Sequence, residues 1–191
     1  MSEMKENNQR VRLTKRIFHE NLLALMRTQS IEKVSITELC KMCELNRATF
    51  YAHYETPEDI LREIEDDFIE QAGKYISNID LGSSHVSRTE AYLKYIKENQ
   101  TVFRLIIGEN GRDAFRQKFF ESVLPGGIIA EEKLNVSPEL KPFVDGYIVS
   151  GSFAIVYTWM LHDFQIPERK LAELINRMSY NAARDYIQGI E

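Results

Sequence analysis

The stretch Ser35–Tyr54, SITELCKMCELNRATFYAHY, decides how the rest of the chain is read. Ser35 precedes an apolar residue and Glu38 follows it by three places. That is a capping box, in which the serine hydroxyl and the glutamate carboxylate satisfy the free amides of a helix start. The helix it opens covers Ile36–Cys43, and Asn46 is placed to cap a second one over Arg47–Tyr54. Helices of about two turns bury too short a stripe for a bundle hairpin. Joined by Glu44-Leu45-Asn46, the pair predicts a helix-turn-helix, whose first helix braces the second in the major groove of DNA. Leu39, Met42, Leu45 and Phe50 are expected to form a small core, leaving Arg47, Thr49, Tyr51 and His53 on the outer side. Arginine offers guanine a bidentate pair and threonine meets a base edge or the thymine methyl, while tyrosine and histidine reach phosphates.

Outward from this pair the spacing is helical nearly everywhere. Leu13, Ile17, Leu22, Leu25 and Met26 fall on one side of a helix over about Asn8–Thr28. Thr56, Pro57 and Asp59 start a fourth helix: a cap, a proline where its missing N–H is harmless, and an acid in the first turn. It carries Ile60, Ile64, Phe68, Ala72, Tyr75 and Ile79 at three- and four-residue steps. After the loop Leu81-Gly82-Ser83-Ser84, helices are expected over about Ser87–Asn99, Thr101–Ile107, Arg112–Val123, Pro138–Asp163 and Pro167–Gln188. Gly108 with Gly111, Pro125-Gly126-Gly127 and Val136-Ser137-Pro138 separate them. No segment alternates with period two over a strand's length, so the fold class is all-α.

Hydrophobic residues make up 43% of the 191 and charged residues 28%, a mix that buries a core and excludes a disordered or collagen-like chain. The net charge of −5 is uneven: residues 1–54 carry +3 and residues 55–191 carry −8. A basic head on an acidic body admits a polyanion at one end only. Met1–Arg12 is polar and has no apolar signal-peptide region, and Gly146–Leu161, uncharged throughout, falls short of the about 20 apolar residues a bilayer span needs. The expectation is a cytoplasmic protein without a membrane partner, Gly146–Leu161 being a buried helix. Cys40 and Cys43 are too few for a disulfide framework, and their CxxC lacks the second pair or nearby histidines of a zinc site.

The stretch Ile36–Leu61, ITELCKMCELNRATFYAHYETPEDIL, resembles the DNA-binding signature of TetR/AcrR transcriptional regulators. Thr49-Phe50-Tyr51 followed by His53-Tyr54 and a new helix start is its most specific part, and the likeness reaches back to Thr14. Phe143-x-x-Gly146 through Ile148, Gly151, Trp159 and Leu161 resembles the C-terminal region of the DhaS-like branch. The resemblance implies that Thr37 touches the DNA backbone or a base, and that Arg47, Ala48 and Thr49 face bases. It likewise implies that Tyr51 and His53 contact phosphates and that Thr14 and Lys15 lie where the first helix approaches the backbone. Two positions depart from the pattern: Glu44 stands where the turn usually carries glycine, at a cost on the order of 1 kcal/mol if its φ is positive. Pro57 stands where the family tends to place lysine, removing one phosphate contact.

The resemblance implies a head over residues 1–55, a regulatory and dimerising body over residues 56–191, and a repressor bound to a palindromic operator. A small-molecule effector would reset the distance between the two heads of a homodimer through the fourth helix. Gly146–Leu161 is apolar around its circumference and carries Gly146, Ser150 and Ala154 four apart; Leu171, Leu174, Ile175, Met178 and Ala182 stripe the helix that follows. One such hairpin per subunit makes a four-helix interface about a twofold axis. Tyr92, Phe103, Phe119, Tyr147 and Tyr157 are the candidate lining of an effector pocket, against the alternative of core and interface. His19 and His162 have no ligand-like partner at four-residue spacing, His85 reads as a loop residue, and Glu63, Glu65, Asp66 and Asp67 read as a solvated helix face. No metal, cofactor or catalytic constellation is expected, so an enzyme working in the aromatic pocket is the weakest reading. Modest head charge, Glu44 and Pro57 keep open a protein-binding co-regulator with little or no direct DNA binding.

Overall fold

The computed structural model describes residues 2–77, 84–108, 115–119 and 136–184, and every regular element among them is a helix. The chain divides by its internal contacts into two compact units, Met1–Phe68 and Ile69–Glu191. The expected loop at residues 81–83, Ile79, Gly111, most of the expected Arg112–Val123 helix, the Pro125-Gly126-Gly127 break and the end of the last helix lie outside the described residues.

The first unit holds α1 (Ser2–Leu25), a 3-10 turn (Ile31–Lys33), α2 (Ile36–Met42), α3 (Arg47–Tyr51) and the first turns of α4 (Pro57–Ser77). Phe18, Leu22 and Leu25, at steps of four and three, are the buried stripe of α1. Leu13, expected in that stripe, is exposed: with the stripe centred on Phe18, Leu13 falls on another side of the helix. Met42 is exposed as well, and its expected place is taken by Cys40 and Cys43, both buried and free. Helix α2 ends at Met42, and Cys43, its C-cap, turns inward so that its thiol lies 3.8 Å from the Ile17 carbonyl. Burial pushes the Cys43 thiol up to about 11 and raises that of Cys40, so both stay protonated as packing groups at neutral pH. Phe18 meets Phe50 and Tyr54 edge-on, at ring-centroid distances of 5.6 and 5.8 Å. Ile60, Leu61, Ile64 and Phe68 supply the α4 side of this core.

The second unit contains the rest of α4, α5 (His85–Glu98), α6 (Gln100–Ile107), α7 (residues 115–119), α8 (Lys141–Leu161) and α9 (Glu168–Ala183). Polar ties join α5 to α9: Asn176 Nδ2 donates to Thr89 Oγ1 at 2.9 Å, Lys97 reaches Glu168 at 2.6 Å and Arg169 reaches Glu90 at 3.2 Å. Between α8 and α9 the chain turns through two left-handed residues, Asp163 (φ 50°) and Phe164 (φ 54°). Without glycine that conformation costs on the order of 1–2 kcal/mol per residue. Local contacts offset it: Phe164 packs edge-on against Trp159 at 4.7 Å, Trp159 Nε1 donates to the Ile166 carbonyl at 2.8 Å, and Arg104 pairs with Asp163 at 2.9 Å.

Helix α8 departs from the expected buried rod. Ile148, Phe153, Val156, Trp159 and Met160 point inward, while Phe143, Tyr147, Ala154 and Leu161 form an exposed apolar strip. Among the described residues it is the one helix long and apolar enough to cross a bilayer, yet its exposed side also carries Ser150 and Thr158.

Candidate nucleic-acid interface

Both short helices start where the local chemistry dictates. Ser35 Oγ accepts from the Glu38 amide at 3.1 Å, and Asn46 Oδ1 accepts from the Thr49 amide at 2.8 Å. Glu44 in the turn takes φ 55°, the left-handed value that usually selects glycine. The Glu44 amide donates to the Lys41 carbonyl and that of Leu45 to the Cys40 carbonyl, so the turn closes on the end of α2. The expected capping box is half made, because Glu38 Oε2 instead accepts from Gln29 Nε2 at 3.0 Å. Helix α4 begins differently: Asp59 Oδ2 reaches back to the amides of Glu55 and Thr56, at 3.0 and 2.7 Å. The backbone bond from Thr56, helped by Arg62, holds the Asp59 carboxyl below its usual range.

Helix α3 has one inward anchor, Phe50, which is fully buried. Arg47, Ala48 and Tyr51 are exposed, Tyr51 by 53%. Arg47 Nη2 donates to Tyr51 Oη at 3.2 Å, and its guanidinium lies 5.8 Å from the tyrosine ring centroid. The i, i+4 spacing thus couples the exposed arginine to the exposed tyrosine on the outer side of α3. Thr49 is half-buried and its hydroxyl bonds Asn46 Oδ1 at 3.0 Å, tying it to the cap. His53 is half-buried beside Tyr54, Thr37 is exposed on the first turn of α2, and Thr14 is half-buried on α1. Lys15 is engaged: its Nζ lies 2.9 and 3.0 Å from the two carboxylate oxygens of Glu63.

That pair belongs to a cluster without a signature in sequence spacing. Tyr54 Oη donates to Glu63 Oε2 at 2.8 Å and lies 3.3 Å from His19 Nε2. Since the tyrosine proton goes to Glu63, His19 serves as the donor to Tyr54 through Nε2–H. His19 Nδ1 stands 3.9 Å from Asp67. Burial depresses the His19 pKa more than Glu63 and Asp67 restore it, and burial followed by the Glu63 bond raises that of Tyr54. At Glu63, burial acts upward but is outweighed by the bonds from Lys15 and Tyr54, which leave it below the usual carboxylate range. The acidic run is therefore not the one solvated face expected: Glu65 is buried, Glu63 and Asp67 face Lys15 and His19 of α1, and Asp66 is exposed. Among the described residues no group of three or more His, Cys, Asp or Glu is disposed to hold a metal ion.

In the second unit, Tyr92, Phe103 and Phe119 come together. Phe119 lies 6.1 Å from Tyr92 and 6.4 Å from Phe103, and Phe115 stacks on it at 5.7 Å. Tyr157 belongs elsewhere, stacked on Phe153 at 6.2 Å, and Tyr147 is on the exposed side of α8.

Residues 87–181 match the TetR family described as transcriptional regulator C-terminal region. The chain is 22% identical over 171 residues to the uncharacterized HTH-type transcriptional regulator YxbF of Bacillus subtilis (strain 168), covering 84% of this chain and spanning 44% of that relative's length. Its fold is similar to the crystal structure of a TetR transcriptional regulator from Streptococcus agalactiae 2603V, with a TM-score of 0.71 and 18% identity over 92% of this chain and 98% of that one. The dihydroxyacetone kinase operon activator DhaS is similar at TM-score 0.55, also with 18% identity and the same two coverages. By its helix-turn-helix head, its all-helical architecture and its matched C-terminal region, the chain belongs to the TetR family of transcriptional regulators.

Proposed function

We propose that this protein is a sequence-specific DNA-binding regulator, a ligand-responsive repressor that binds a palindromic operator as a cytoplasmic homodimer. The outward face of α3 carries the reading: Arg47, Ala48 and Tyr51 are exposed over a single buried anchor, Phe50, on a helix capped by Asn46. An exposed arginine braced by a tyrosine hydroxyl is suited to a bidentate pair with guanine next to a phosphate. Thr37, Thr49, His53 and Thr14 are assigned to the edges of the same contact.

The exposed strip of α8 supports the dimer. Phe143 (74% exposed) and Tyr147 (68%) stand beside Gly146 and Gly151, where an added Cβ would meet nothing within 4 Å. Leu174 and Met178 are exposed on α9. Large apolar side chains next to flat positions fit a second helix pair better than water. The effector is assigned to the body, with the Tyr92, Phe103 and Phe119 cluster as its nearest candidate surroundings, and acts through a difference in affinity between DNA-competent and DNA-incompetent states. No catalytic step is assigned.

Selection of bound duplexes from a random pool tests the whole reading. The expected result is enrichment of an inverted repeat whose half-site centres are one helical turn apart or a multiple of it. Failure to enrich any sequence, with retention on random duplex insensitive to salt, would favour the co-regulator reading instead.

A further inference from the structure

We propose that Lys15 is a positioning residue for DNA recognition, locked from behind to Glu63 and Tyr54, and not a phosphate contact; the inference rests on the DNA-binding reading above. Resemblance alone assigns Lys15 to the DNA backbone. The geometry gives its ammonium another task, since both oxygens of Glu63 lie within 3.0 Å and the Tyr54 ring centroid is 5.6 Å away. The side chains of Lys15 and Glu63 are 34% and 30% exposed, so the pair is partly shielded from water. Reaching a phosphate would require Lys15 to abandon a part-buried carboxylate, leaving it with the Tyr54 hydroxyl at 2.8 Å and His19 at 3.8 Å. While paired, lysine and glutamate cancel, and together they add little to the field that attracts a polyanion.

What the pair does hold is the exit of the recognition helix. Tyr54 lies three residues beyond the end of α3, and its ring packs against Phe18 and Phe50. Phe50 is the buried anchor beneath Arg47 and Tyr51. Lys15 and His19 on α1, Tyr54 after α3, and Glu63 with Asp67 on α4 thus tie three segments of the head around the base of the reading surface. The consequence for binding is transmitted through Tyr54 to the orientation of α3.

The decisive experiment measures affinity for a duplex selected by the wild-type protein, across a salt series, for Lys15→Met, Glu63→Gln, their double variant and Tyr54→Phe. Thermal melts establish that each is folded at the assay temperature. The proposal expects Lys15→Met and Glu63→Gln each to weaken binding about three- to tenfold, as loss of a partly shielded ion pair allows. The double variant should be no weaker than the poorer single, and the log–log salt slope should match wild type throughout. A phosphate contact predicts the opposite signs: a slope shallower by about 0.9 in Lys15→Met, and tighter binding in Glu63→Gln, which frees the lysine. That pattern, or lowered melting temperatures with unchanged affinity in the folded variants, overturns the proposal. If Lys15→Met does not fold, Glu63→Gln and Tyr54→Phe decide it, because both preserve size. A wild-type protein that selects no duplex fails earlier and separately, taking the DNA-binding reading with it.

Discussion

Helix α3 buries one aromatic ring and turns Arg47, Ala48 and Tyr51 outward, whereas α8 buries Phe153, Val156, Trp159 and Met160 and still leaves Phe143, Tyr147 and Leu161 in the open. The first helix has five residues and is fixed at its start by the Asn46 side chain; the second has 21 and no side-chain cap at Leu140. A short helix with a charged outer face owes its position to a cap and one anchor, and what it offers outward is hydrogen bonds for a polyanion. A long helix with an apolar outer face holds itself together, and what it offers is area for another apolar surface. The same distinction separates the two associations assigned to this protein.

Removing the single anchor should have the largest effect. Phe50→Ala is expected to destabilise the head by about 3–5 kcal/mol, seen as an early melting transition; a loss below about 1 kcal/mol would mean that α3 is held by something else. Placing a charge on the apolar strip comes next. Tyr147→Glu should leave the monomer folded but convert dimer to monomer in sedimentation, with DNA affinity falling about a hundredfold as the second head is lost. Retention of the dimer would move the interface off α8. On the polar side, Arg47→Ala should cost about 1–3 kcal/mol of binding and relax preference at one base position; equal loss on all sequences would make Arg47 a phosphate contact. Asn46→Ala should lower head stability by about 1 kcal/mol through the lost cap, an effect no substitution at Leu140, the residue before α8, should reproduce.

The smallest effect concerns pH. Because burial holds the His19 pKa below its ordinary value of 6.5, the unfolded chain takes up a proton there before the folded head does. Stability linked to this group is therefore present above pH 6.5 and lost as pH falls below it toward the depressed folded value. Thermal melts at about pH 7.5 and 5.5 should show a lower transition in the acid sample, and His19→Gln should reduce the difference. An unchanged difference would exclude His19 as its source.

The parts of this arrangement that were legible in sequence are those set by bonds within a few residues. Ser35 and Asn46 cap helices because their oxygens reach an amide three places on, and the Glu44 turn follows from two helices too close to join otherwise. The inward side of α2 was less legible: seven residues fit either Met42 or Cys43 on the core side, and the way the helix ends chose Cys43. Lys15 and Glu63 are 48 positions apart, so only the fold brings them together. On α8 the small residues Gly146, Ser150 and Ala154 mark in sequence the side that is exposed, but a helix apolar all round does not mark Phe143 and Tyr147 as the large side chains beside them. Nor does the sequence announce Asp163 and Phe164 as left-handed, because Trp159 and Arg104 impose that turn from outside it.

Entry of the outer face of α3 into a DNA groove can be followed by amide chemical-shift mapping of isotope-labelled protein titrated with the duplex it selects. The largest changes are expected at Arg47, Ala48, Thr49 and Tyr51, with Thr37 next and the outer face of α8 unchanged. Changes confined to α8 and α9, with α3 silent, would contradict it.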